Sequence, residues 1–153
     1  MDATESDRPF VAVVCGNASD VQGAEHAANV LDKLHIPYEI KVLQAGSEDI
    51  EAYIEEAMSR GLGVVIVSTY YTYTDELIPS IREILLPVVR FATGPIPKSI
   101  RSASLNIPLM GFGREGAIKA ALFAARVLAL TDYALRLRLR AYSQPSSFAS
   151  EPQ

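Results

Sequence analysis

A chain of 153 residues is long enough for one domain with a full hydrophobic core, and 49% hydrophobic with 21% charged residues is the balance of an ordinary globular fold. The net charge of -4 gives no electrostatic ground for nucleic acid or an anionic membrane as partner, and no apolar run reaches the length of a membrane span. The single cysteine, Cys15, excludes an intrachain disulfide and fits a reducing compartment, so the expected address is the cytoplasm and the expected thiol an inert core group.

Residues 1–9 are polar and acidic, unlike a signal peptide, and are expected to be disordered. Residues 10–14 are all apolar without alternation, which predicts a strand buried on both faces, ended by Gly16. A helix start follows, with Ser19 as its expected N-cap, Gln22 in the capping-box position and Asp20 near the positive helix end. Strand, small polar turn and helix N-terminus suit a phosphate or carboxylate, and the same residues equally serve to close a βα turn. Ala24, Ala27, Ala28, Leu31 and Leu34 recur at helical spacing until Pro37 blocks continuation.

Residues 38–43 read as a second strand and 44–47 as a polar turn, with Ser47 capping a helix that stops at Gly61. Residues 64–67 read as a third buried strand. The run that follows carries Tyr70, Tyr71 and Tyr73 where βα turns favour small residues, so these rings either line a cleft, fill it or pack an interface. Thr74 is expected to cap a helix over 75–85, followed by a strand over 87–91. The loop 92–106 carries Lys98 and Arg101 as solvated charges, and a short strand spans 109–111. An alanine-rich helix is expected over 114–130, and Thr131 is expected to cap a last helix to Tyr142. Its Arg136, Arg138 and Arg140 alternate with leucines, spreading charge around the circumference, and the Ser- and Pro-containing tail 143–153 is expected to be disordered.

Strands alternating with helices predict a parallel sheet covered on both faces, with ligands beyond the strands' carboxyl ends. The turns at 16–20, 44–47, 68–74 and 111–116 are therefore the ones to inspect. Gly111, Gly113 and Gly116 match G-x-G-x-x-G, but a dinucleotide site needs a second strand ending in an acid about twenty positions on. Thr131 and Asp132 stand there at a helix start instead, which leaves a glycine-rich turn that either lets backbone approach a phosphate or simply turns the chain. His26 and His35 lie outside all four turns, so no histidine triad, histidine acid-base pair or Cys/His metal cluster is expected, and neither metal nor cofactor.

Read together, the turns resemble those of the PurE family, the 5-(carboxyamino)imidazole ribonucleotide mutases and related aminoimidazole ribonucleotide carboxylases, over residues 10–142. The family's G-S-x-S-D turn is matched by Gly16, Asn17, Ala18, Ser19 and Asp20, with Asn17 in place of the first serine. Ile36 and Pro37 match the start of its second strand, and residues 113–125 follow its G-x-x-G-A-x-x-A-A-L-x-A-A helix. The departures are as specific. The family's S-A-H-R, whose histidine transfers the proton, is replaced by Gln44, Ala45, Gly46 and Ser47, and its glycine-rich loop by the tyrosine-rich run. The asparagine of the late helix is Lys119.

The resemblance implies a three-layer α/β fold, flavodoxin-like and Rossmann-like, with a C-terminal helix. It further implies a homo-oligomer, an octamer in this family, for which the small-residue helix at 117–125 and the last helix at 132–142 are candidate interface elements. A retained ligand would be a phosphorylated ribonucleotide near Gly16, Asn17, Ser19, Asp20 and Ser47, with Tyr70, Tyr71 and Gly113 as further candidates. Without the family histidine the expectation is a catalytically degenerate protein acting by assembly or nucleotide binding. The alternatives are altered carboxylation or decarboxylation chemistry on a ribonucleotide, or an unaltered mutase.

Overall fold

The computed structural model describes residues 8–43, 49–69, 85–93 and 107–144. The expected helix at 75–85 but for Leu85, the tyrosines at 70, 71 and 73, and the terminal segments 1–7 and 145–153 lie outside the described residues. Of the ends expected to be disordered, Arg8, Pro9, Ser143 and Gln144 are described, and Ser143 still belongs to the last helix.

Strand β1 (Phe10–Cys15) is buried at every position, as its unbroken apolar run predicts. Val11, Val13 and Cys15 enter one core and Phe10, Ala12 and Val14 the other, because successive strand residues point to opposite faces. Around it stand β2 (Tyr38–Val42), β3 (Leu62–Thr69), β4 (Val88–Ala92) and β5 (Leu109–Phe112), in the order β2-β1-β3-β4-β5 with every pairing parallel. That is the flavodoxin-like order, whose switch point lies between β1 and β3.

Helix α1 (Val21–Lys33) and helix α3 (Gly113–Leu128) cover one face, and α2 (Asp49–Ser59) covers the other with Ile50, Ile54 and Ala57. Ala117, Ala120, Ala121, Ala124 and Ala125 of α3 are buried in the same core as Ala24, Ala27 and Ala28 of α1. The small-residue stripe is therefore used inside the subunit. Helix α4 (Tyr133–Ser143) adds Leu135 to this core and leaves Tyr133 and Leu137 exposed. Among the described residues no helix is long and apolar enough to cross a membrane.

Helix ends depart most from expectation. The opening cap is Asn17, with Asp20 as its capping-box partner, because the chain makes a short 3-10 turn (Ala18–Asp20) before α1; Ser19 sits inside that turn. The last helix is capped by Asp132, whose carboxylate accepts from Leu135 N at 3.0 Å, one residue beyond the expected Thr131. Helix α1 closes with Ile36 N donating to Leu31 O (2.9 Å) and His35 N to Asp32 O (3.1 Å), the paired bonds of a Schellman motif. His35 occupies its left-handed position, at φ 57.

Two arginines of the last helix do more than spread charge. Arg138 Nε donates to Leu34 O at 2.7 Å, and Arg136 donates to Ala129 O and Leu130 O, each at 2.8 Å. Arg8 Nη2 adds a bond to His35 O at 2.9 Å. Cations thus meet the carbonyl ends of α1 and α3, where the helix dipole is negative. On the far face, Glu39 of β2 accepts from Tyr53 Oη (2.7 Å) and from both terminal nitrogens of Arg60, fastening α2 to the edge strand.

Candidate functional site

The carboxyl ends of β1, β3 and β4 converge on Asp20, which follows the turn after β1 and is only 1% exposed. Its Oδ2 accepts from Asn17 N at 3.2 Å and its Oδ1 from Thr93 Oγ1 at 2.8 Å. Its carbonyl accepts from Ser68 Oγ, at the end of β3, at 3.1 Å. Removing a carboxylate from water is costly unless donors meet it, and here they come from the ends of β1 and β4, while β3 binds the backbone carbonyl.

The turn is also closed within itself. Ser19 N and Ser19 Oγ both donate to Asn17 Oδ1, and Asp20 N donates to Asn17 O. Three of the N–H groups expected to face a ligand, those of Asn17, Ser19 and Asp20, therefore already have partners. Gly16 is half-buried, Asn17 and Ser19 are exposed, and Asp20 is buried.

Cys15 lies behind the turn, fully buried, its thiol pushed up to about 12 by desolvation and then by the Asp20 charge, against a hydrogen bond with Ser68. It is the inert core group expected. His26 is half-buried on α1, and His35 lies between α1 and β2, at the sheet's amino end. Among the described residues no group of three or more His, Cys, Asp or Glu could hold a metal ion.

The glycine-rich motif bends the chain from β5 into α3. A Cβ on Gly116 would stand 2.4 Å from Gly111 C, so the motif lets strand and helix touch backbone to backbone. Gly113 is exposed at the start of α3, just beyond the carboxyl end of β5. Lys119 is exposed and pairs with Glu115 at 3.4 Å. Ser47, Tyr70 and Tyr71 lie outside the described residues.

Sequence reasoning missed Thr93 and Gly23, and it placed Ser68 in an inspected turn without giving it a role. A polar Ser68 ending a buried apolar strand is a visible signal; Thr93 carries none, because its partner lies 73 positions away. Gly23 is identified only by packing: a Cβ there would meet Thr93 Cγ2 at 3.0 Å.

Comparison with known proteins bears on this arrangement. The AIR carboxylase family model matches residues 10–69. The N5-carboxyaminoimidazole ribonucleotide mutase of Pseudomonas aeruginosa is 32% identical over 135 residues, covering 78% of this chain and 79% of that protein. Its counterpart in Brucella melitensis is 28% identical over 157 residues, covering 93% and 95%. The crystal structure of Treponema denticola PurE superposes with a TM-score of 0.68 over 93% of this chain and 94% of that one, at 19% identity.

Proposed function

We propose that this chain, which belongs to the AIR carboxylase family, keeps the family scaffold without the mutase reaction and acts as a homo-oligomeric assembly or ribonucleotide-binding module. One observation carries this reading: among the described residues, the carboxyl end of the sheet presents no histidine, the side chain that exchanges a proton near neutral pH. Moving a carboxylate from nitrogen to carbon on an imidazole requires such a group. The Cys15 thiol is pushed up to about 12, the Asp20 carboxylate is enclosed, and both histidines stand elsewhere. Where the family resemblance places a histidine, the sequence has Gly46.

The ligand in this reading is a phosphorylated ribonucleotide against Gly16, Asn17 and Ser19, with Ser47, Tyr70, Tyr71 and Gly113 as further candidates. The assembly is an octamer of single α/β domains spanning 10–142, in the cytoplasm. Leu130 and Tyr133, each 71% exposed where α3 meets α4, support an interface there.

Incubation with N5-carboxyaminoimidazole ribonucleotide is expected to give no interconversion above the uncatalysed background; turnover comparable to the relatives' overturns the loss of the reaction. A ribonucleotide that binds only the folded state stabilises it by about 2.7 kcal/mol at a hundredfold excess over Kd, visible as a rise in Tm. No rise with any ribonucleotide leaves assembly alone, and a monomer by light scattering removes assembly.

A further inference from the structure

We infer that Thr93, seated in a notch left by Gly23, is a positioning residue that holds Asp20, and through it the turn after β1, in place. The inference rests on the reading of this end of the sheet as a ligand site.

The Asp20 side chain is enclosed at 1% exposure, with one carboxylate oxygen turned to Thr93 and the other to the backbone of Asn17. A carboxylate so held fixes what a molecule bound at the turn meets. The Asn17 N–H is drawn inward to Asp20 Oδ2, which orients the peptide between Gly16 and Asn17. The Asn17 side-chain oxygen in turn accepts from two donors of Ser19, which ties that side chain to the turn.

Thr93 is the connection from β4 to this arrangement. Its hydroxyl lies 2.8 Å from Asp20 Oδ1, and its methyl lies where a Cβ of residue 23 would approach to 3.0 Å. Ser68 Oγ would stand 3.5 Å from the same Cβ, so the glycine serves both hydroxyl residues at once. A glycine in the first turns of α1 costs helix stability relative to alanine, which leaves the fit to Thr93 as its physical justification.

Substitution of Gly23 therefore separates positioning from stability. Gly23→Ala improves helix propensity but displaces Thr93 sterically without removing a polar group, whereas Thr93→Val removes the hydroxyl and retains the shape. Amide hydrogen exchange by NMR is read at Asn17, with Val13 and Ile66 in the central strands as reporters of global opening. Gly23→Ala and Thr93→Val are each expected to speed exchange at Asn17 at least tenfold while Val13 and Ile66 stay within twofold of wild type. Thr93→Ser, which keeps the hydroxyl, is expected to remain within twofold at all three.

Unchanged Asn17 exchange in both disruptive variants overturns the inference. So does a parallel rise at Val13 and Ile66, which would make the contact a plain contribution to stability, and so does failure of Thr93→Ser to rescue. With aminoimidazole ribonucleotide as probe, Thr93→Val is expected to weaken Kd at least fivefold. Wild-type protein that does not bind this probe counts against the ribonucleotide reading above, and the exchange data then decide the positioning role by themselves.

Discussion

The two ends of the parallel sheet are fastened by opposite chemistry. At the amino end, cationic Arg8 and Arg138 donate to the last carbonyls of α1, and Arg136 does the same for α3. At the carboxyl end, an enclosed carboxylate gathers a hydroxyl and a backbone N–H near the start of α1. Each end places the sign of charge that the helix dipole favours, but the amino-end joints are separate and lie partly in water, whereas those at Asp20 share one side chain. Damage at the amino end should therefore be graded, and damage at the carboxyl end should spread.

The sharpest test of that contrast is Gly116→Ala, where the new Cβ meets the Gly111 backbone at 2.4 Å with no flexible side chain to yield. A loss of about 3 kcal/mol or more is expected in urea unfolding. At the other end, Arg138→Ala should cost about 2 kcal/mol, leaving the Leu34 carbonyl without its charged donor. Asp132→Ala, which removes one cap, should cost about 1 kcal/mol by the same measurement.

The Glu39 clasp should respond to pH. Its carboxyl is held below the ordinary value of 4.5, chiefly by the hydrogen bond from Arg60, so its contribution is complete above that value and fades as pH falls through the lowered one. Being near the surface, it is worth under about 1 kcal/mol. Thermal melts from pH 6 to 3 should fall more steeply in wild type than in Glu39→Gln. The smallest effect expected is a gain: His35→Gly relaxes the left-handed position at φ 57 and should raise Tm by about 2 °C. A loss there would mean that the His35 ring contributes to the amino-end joint.

Much of the fold was legible because its signals are local. The unbroken apolar runs of β1 and β3, the stop at Gly61 and the block at Pro37 each act within a few residues. The caps were missed by one or two positions because Asn17, Ser19 and Asp20, like Thr131 and Asp132, are all competent acceptors. Only the path of the backbone decides which oxygen meets an N–H. The alternating arginines of α4 look dispersed on a helical wheel, yet Arg136 and Arg138 reach the ends of two other helices, which no pattern within α4 encodes. The same holds for Thr93, whose neighbours Ala92 and Asp20 belong to different elements. The turn carrying Gly16, Asn17 and Ser19 is placed by the strand–turn–helix pattern, but the inward direction of Asp20 follows from contacts with β3 and β4 that become adjacent only after folding.

The bond from Arg138 to the Leu34 carbonyl joins positions 104 residues apart. On a ribosome adding about 5–20 residues per second, the first helix waits roughly 5–20 seconds for the guanidinium that completes its end. Nascent chains halted before the final helix emerges should consequently be easier to cleave by protease around residues 34–37 than the released polypeptide.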